Sequence, residues 1–246
     1  MSQSYQGLEA EWHDLFWEAE EAANELPLIE EFLESIEGPS LYVGSGSGRL
    51  LGPLVLEGLE VSGLESSAEM VALSRKRWPE AKVVEGAWKD EEGEWSAILV
   101  PGFTFQLFEN PRLELLRMAS RVGKGGRAYL SLFFPWAELT GELPPVKWYS
   151  DREIELPDGQ RGELWTKHVV IERKSLLKRE HSYRLKGEDG KVIREEKTKQ
   201  TIRFFVDAEL ERLFKKTGWK VSKEIFDFGE HDGDTVYVTT LFLERS

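Results

Sequence analysis

Residues from about 8 to 37 place apolar side chains at helical spacing: Leu8, Trp12, Leu15, Phe16, Ala19, Ala22, Ala23 and Leu26, then Ile29, Phe32, Leu33 and Ile36, with acidic residues between them. Pro27 interrupts the run, so the pattern predicts one or two amphipathic helices whose glutamates form a solvated face. From Leu41 the pattern changes. Short apolar runs (LYV, LEVSGLE, AKVVEG, SAILVP, RAYLSLFF) alternate with longer helical segments (RLLGPLVLEG, SSAEMVALSRKRWP, NPRLELLRMASRV). This alternation predicts an α/β fold in which helices cover a parallel sheet. Ser66 with Glu69 reads as a capping box, Asn110-Pro111 as a helix start and Gly123 as that helix's stop.

After Phe134 the proline- and aromatic-rich segment PWAELTGELPPVKWYS reads as a crossing linker without regular structure. Beyond it the period becomes two. GELWTKHVVIERK, SLLKREHSYRLKG and GKVIREEKTKQTIRFF predict an antiparallel insertion of about three strands, with GEDG turning between the last two. DAELERLFKKTGW then predicts a helix with Asp207 as N-cap and Gly218 as stop, followed by KVSKEIFDF, the turn GEHDGD and TVYVTTLFLER. Two strands joined by so short a turn are antiparallel, so the parallel sheet should finish with one reversed strand.

Charge and composition narrow the function. With 45 acidic against 32 basic residues the net charge is -13, which disfavours nucleic acid and anionic membranes as partners. Cysteine is absent, which excludes disulfides, thiolate metal sites and a cysteine nucleophile. No apolar run approaches the roughly 18 residues of a membrane span and no leader peptide is evident, so a soluble cytoplasmic protein, monomer or homodimer, is expected.

Candidate chemistry begins at the turn VGSGSGRL, where Gly44, Gly46 and Gly48 alternate with Ser45 and Ser47 between a strand and a helix. Glycines there permit a tight turn and close approach of a ligand to the backbone, beside free amides of the helix start. The ligand could be a dinucleotide or an adenosyl compound. A dinucleotide fingerprint would need glycine at Arg49 or Leu51, which weakens the nicotinamide reading. Glu65, ending the second strand, is suited to accept both hydroxyls of an adenosine ribose; alternatively its charge simply favours the following helix start.

These motifs, with the unit VSGLESSAEMVALSRKRWPEAKVVEG and the return TIRFFVDAELERLFKKTGW, resemble the class I S-adenosylmethionine-dependent methyltransferases, in their small-molecule branch with a β insertion after the fifth strand. The resemblance implies a Rossmann-like, doubly wound, mostly parallel seven-stranded sheet with a reversed last strand, plus the antiparallel insertion. It implies S-adenosyl-L-methionine as cofactor, held by Gly44, Ser45, Gly46, Gly48, Glu65 and Ser66, with Gly86, Ala87 and Trp88 edging the adenine and Pro101 and Gly102 beside the reactive methyl. It divides the chain into an N-terminal helical lid (1–38), a cofactor-binding domain (39–149 and 207–246) and an insertion shaping the substrate pocket (150–206). Three positions depart from the family: Tyr42, Ala87 and Ser96 stand where acidic residues are usual. Backbone groups and stacking on Trp88 are expected to substitute.

The implied activity is methyl transfer to a nitrogen or oxygen of a small molecule, which needs alignment and exclusion of water but no metal. The alternative is a non-catalytic module of the same fold that holds S-adenosylmethionine or S-adenosylhomocysteine. Substrate-pocket candidates are His13, Phe103, Phe105, Gln106, His168, His181 and Arg203; histidine or carboxylate could take an acceptor's proton. For the phenylalanines the competing reading is core packing, for the histidines a structural role, and for Arg203 an ordinary strand cation.

Overall fold

The computed structural model describes residues 5–18, 25–156, 159–231 and 235–246, with only the backbone at 17 and 18. Residues 19–24 of the predicted N-terminal helices and 232–234 of the turn GEHDGD lie outside the described residues. The elements run α1 (Gly7–Glu18), α2 (Leu26–Glu34), β1 (Ser40–Val43), α3 (Leu51–Leu56), β2 (Val61–Glu65), α4 (Ala68–Arg77), β3 (Val83–Glu85), β4 (Ala97–Val100), α5 (Pro111–Val122), β5 (Arg127–Phe133) and α6 (Trp136–Thr140). There follow β6 (Tyr149–Glu155), β7 (Arg161–Ile171), β8 (Leu176–Lys186), β9 (Val192–Arg203), α7 (Asp207–Thr217), β10 (Trp219–Phe226) and β11 (Val238–Arg245).

Two compact units result: one contains the described residues of Ala23–Phe134 and Phe205–Ser246, the other those of Tyr5–Ala22 and Pro135–Phe204. α1 therefore groups with the antiparallel strands and α2 with the mixed sheet, and the units change at 135 and 205.

In the first unit seven strands are ordered β10-β11-β5-β4-β1-β2-β3, parallel except for β11, which runs against both β10 and β5. The central strands are mostly apolar because both faces are covered. Leu41, Val43, Ile98, Val100, Ala128 and Leu130 face one core with Met118 and Phe214. Tyr42, Leu99, Tyr129 and Phe242 face the other with Phe32, Leu51 and Leu54.

The helix ends show which local signals acted. Asn110 caps α5, its Oδ1 accepting the Leu113 amide at 3.1 Å, and Gly123 ends it at φ +65°. Asn110→Ala should cost about 1 kcal/mol, read as a lower denaturation midpoint at unchanged slope. The cap of α4 is Ser67, whose Oγ accepts the Met70 amide at 3.2 Å; this replaces the expected Ser66–Glu69 box. α7 starts one residue earlier than expected, with Val206 at the N-cap position and Asp207 inside the first turn, where its charge still favours the helix.

The second unit has four antiparallel strands, ordered β6-β7-β8-β9, one more than the periodicity predicts. The segment read as a linker contains α6 and the start of β6. Its prolines, Pro135, Pro144 and Pro145, fall outside both elements, so they punctuate the segment without preventing regular structure. The expected solvated glutamate face of the N-terminal helices fails at two positions: Glu9 is 5% exposed and Glu25 3%.

Candidate functional site

β1 ends at Val43 and the chain turns through residues 44–48 before α3. Gly44, Gly46 and Gly48 lie at φ +74°, +56° and +79°, where a Cβ is strained. The turn is fastened to β2, because the amides of Gly44 and Ser45 both donate to the Leu64 carbonyl, at 2.8 and 3.2 Å. The glycines differ in what surrounds them. A Cβ on Gly44 would stand 2.7 Å from Thr104 Cγ2 and one on Gly48 2.5 Å from Ser74 Oγ, whereas one on Gly46 would meet nothing within 4 Å. Gly44 and Gly48 accommodate the protein's own packing; Gly46 leaves its backbone open to a ligand.

Glu65 closes β2 directly after the Val43–Leu64 register pair and is 6% exposed. Its Oε2 accepts the Gly46 amide at 3.0 Å, its Oε1 accepts the Ser67 amide at 2.7 Å, and the Ser66 hydroxyl lies 3.4 Å from Oε1. Two amides therefore orient the carboxylate beside the open face of Gly46, and both oxygens retain capacity to accept further hydrogen bonds. This arrangement fits a pair of ribose hydroxyls.

The loop after β3 joins the same edge, the Gly86 amide donating to the Glu65 carbonyl at 2.9 Å; Gly86 and Ala87 are half-buried. Trp88 does not match its expected role. It is 2% exposed in the core cluster of Leu64, Phe105 and Phe108, so its ring has no face free for stacking on an adenine.

After β4, Pro101 is buried and Gly102 is exposed at φ +59°, with open space where a Cβ would project. Phe103 also takes a left-handed conformation, φ +61°, unusual for a bulky residue, and packs on Phe133 with ring centroids 5.2 Å apart. Glu25, immediately before α2, anchors this loop. Its Oε2 accepts the Gly102 amide at 3.1 Å and its Oε1 the Tyr129 hydroxyl at 3.0 Å; the Ser131 side chain also bonds to it. Ser131 Oγ in turn accepts the Phe103 amide at 3.4 Å. Burial raises the Glu25 pKa above the usual carboxylate range, opposed by these hydrogen bonds and by the charge of Arg49. Nothing in the spacing singles out Glu25, which continues the acidic pattern of its neighbours. Tyr42, Leu99 and Tyr129 form one row across the sheet, and Glu25 is bonded to the Tyr129 end of that row.

Two pocket candidates are structural. Phe105 is fully buried against Phe108 and Phe205, and Gln106, 1% exposed, exchanges hydrogen bonds of 2.8 and 3.0 Å with the backbone of Phe133. Both pin the loop after β4 to the core and the end of β5. In the second unit, His13 on α1 is half-buried, 3.0 Å from Asp14 and edge-on to Tyr5. His168 and His181 are buried on adjacent strands, β7 and β8. Arg203, at the end of β9, donates to the Lys174 carbonyl at 3.2 Å. Among the described residues no three His, Asp or Glu side chains are grouped to hold a metal ion, and no helix is long and apolar enough to cross a membrane.

No protein-family model matches the sequence, and no curated protein matches it either. Solved structures do match in fold. A S-adenosylmethionine-dependent methyltransferase from Clostridium acetobutylicum superposes with a TM-score of 0.76 at 10% identity, covering 96% of this chain and 97% of that one. The CcbJ methyltransferase from Streptomyces caelestis gives 0.74 at 18% identity over 99% and 98% of the two chains. This chain has their fold. The S-adenosylmethionine-bound CalS10, an amino pentose methyltransferase from Micromonospora echinaspora, shares it with a TM-score of 0.68 at 16% identity, covering 99% of this chain and all of its own. The order β10-β11-β5-β4-β1-β2-β3 with β11 reversed is thus the seven-stranded arrangement that the resemblance implied.

Proposed function

We propose that this chain is a S-adenosylmethionine-dependent methyltransferase acting on a nitrogen or oxygen of a small molecule. The observation that carries the reading is Glu65, a carboxylate oriented by the Gly46 and Ser67 amides beside the one glycine of the turn whose face is open. The shared fold supports it, as does the cofactor bound in the CalS10 structure. When bound, the cofactor supplies an electrophilic sulfonium methyl group. Glu65 would accept the ribose hydroxyls; the backbone of residues 44–48, with Ser45, would pass beside the amino-acid portion; and Ser66, Gly86 and Ala87 would border the base. Pro101 and Gly102, held by Glu25, would border the reacting end.

The antiparallel unit, residues 135–204 with α1, would select the acceptor. His13, His168, His181 and Arg203 are its candidate contacts. Methylation of an ammonium or hydroxyl acceptor requires one proton to leave before or during attack, and a neutral imidazole can receive it.

Calorimetric titration with S-adenosylmethionine, S-adenosylhomocysteine and NADH tests the reading. Binding of the two adenosyl compounds and not of NADH is expected, and Glu65→Ala should weaken it at least tenfold, about 1.4 kcal/mol, through loss of charge-assisted hydrogen bonds. Unchanged affinity would remove Glu65 from the site. Binding of none of the three would end the methyltransferase reading.

A further inference from the structure

One face of the antiparallel sheet meets helices of its own unit: Leu164 and Tyr183 pack with Leu8, Trp12 and Phe16 of α1, and Arg179 binds Glu138 of α6. Successive residues of a strand point to opposite faces, so the other face carries the alternate positions. The register sets these in three adjacent rows across β7, β8 and β9: Lys167, Glu180 and Lys199; Trp165, Ser182 and Lys197; Glu163, Arg184 and Glu195. Glu195, Lys197 and Lys199 are exposed, and Trp165, Lys167, Glu180 and Arg184 are half-buried.

The outer two of these rows are opposite in sign on every strand. The first reads positive, negative, positive and the third negative, positive, negative. Neighbours within a row pair with one another: Lys167 and Lys199 lie 2.9 and 3.7 Å from Glu180, and Arg184 lies 3.1 Å from Glu195. Aromatic rings also support two of the cations, Lys167 standing 5.1 Å over the centroid of Trp148 and Arg184 5.4 Å over that of Trp165. The charges are therefore held in a fixed pattern.

That pattern is self-complementary. A two-fold axis along the middle row, between two stacked copies of the sheet, lays each strand over its own counterpart with the direction reversed. Lys167 then faces Glu163, Glu180 faces Arg184 and Lys199 faces Glu195, and the same pairs recur on the other side of the axis. On the axis Trp165 meets Trp165, while the like-charged meeting of Lys197 with itself falls on the edge strand β9, where water screens it. Four cations against three carboxylates bring these rows within one charge of neutral in a chain of net charge -13, so two acidic copies meet here with little repulsion. Strands of 11, 11 and 12 residues beside the shorter β6 give a face of roughly 600 Å². Two copies would bury roughly 1,200 Å² in total, the lower end of the range for specific interfaces.

We infer that this charged face binds the same face of a second copy, so that the chain forms a homodimer joined through its antiparallel sheets. Opposed rows fix the register of the two copies, and the paired tryptophans supply the apolar contact at its centre. The interface does not depend on the proposed methyl transfer.

Sedimentation velocity of the full-length protein between about 1 and about 100 µM is expected to show a monomer–dimer equilibrium. Two double substitutions identify the contact. Glu180→Lys with Lys199→Glu inverts the first row, and Arg184→Glu with Glu195→Arg inverts the third; each keeps an ion pair within the chain and should retain the native melting temperature. Alone, either variant should dimerise at least about tenfold more weakly, because like charges then face each other across the axis. An equimolar mixture of the two should recover wild-type affinity, since each inverted row then meets the other. Wild-type protein that stays monomeric throughout, as it would if another partner occupied the face, overturns the inference. So do variants that dimerise as tightly as the wild type, or a mixture that associates no better than its components.

Discussion

Gly46→Ala is expected to lower affinity for S-adenosylmethionine about a hundredfold, about 2.8 kcal/mol, while the fold loses only about 1–2 kcal/mol. The stability loss comes from placing an L side chain at φ +56°; the affinity loss comes from a methyl group on the one face of the turn that the protein leaves open. Gly44→Ala should behave differently. Its Cβ would fall 2.7 Å from Thr104 Cγ2 and 3.0 Å from Thr104 Oγ1, at φ +74°, so overpacking adds to backbone strain and the cost rises to about 2–5 kcal/mol. Melting curves and calorimetric titration of both variants separate the effects. Wild-type cofactor affinity in Gly46→Ala would show that no ligand crosses that face, and equal stability of the two variants would contradict the packing assigned to Gly44.

Glu25→Ala is expected to cost about 2–5 kcal/mol, a large part of the 5–15 kcal/mol typical of a folded protein, because the buried Tyr129 hydroxyl and the Gly102 amide both lose their acceptor. Cofactor affinity should fall with it, since Glu25 anchors the loop that carries Gly102. Glu25→Gln supplies the pH signature. A carboxyl whose folded pKa is raised above its unfolded value adds stability that is fully present below the unfolded pKa and is lost as pH rises through the folded pKa. The stability of the wild type relative to Glu25→Gln should therefore decline from about pH 4.5 upward. A difference independent of pH from 4 to 8 would mean that the Glu25 carboxyl titrates alike in the folded and unfolded chain.

Much of the mixed sheet is legible in the residue pattern. Uninterrupted apolar runs such as AILV and LYV mark strands covered on both faces, and the short connection between β10 and β11 forces the reversed last strand. Asn110-Pro111 and Gly123 bound α5 because capping depends on a few adjacent residues. Where two adjacent residues could serve, as with Ser66 and Ser67, the spacing does not choose between them. β6 escapes the pattern because its residues are half-buried or exposed and carry little apolar alternation; pairing with β7 makes it a strand.

At the candidate site, the glycine turn, the strand ending in Glu65 and their separation can be read from the residue order, because these depend on local backbone conformation and on where a strand stops. Which groups are buried, and what they meet there, was set by the packing of the folded chain. It made Gly46 the open glycine and Gly44 and Gly48 packing glycines, since the crowding atoms belong to Thr104 and Ser74, distant in the chain. It took Trp88, Phe105 and Gln106 into the core, buried Glu25 among Gly102, Tyr129 and Ser131, and left His168 without a partner. A glutamate in a solvated pattern and one holding the loop after β4 look alike along the chain. Their difference is the cost of removing a charge from water, which depends on every element that closes around it.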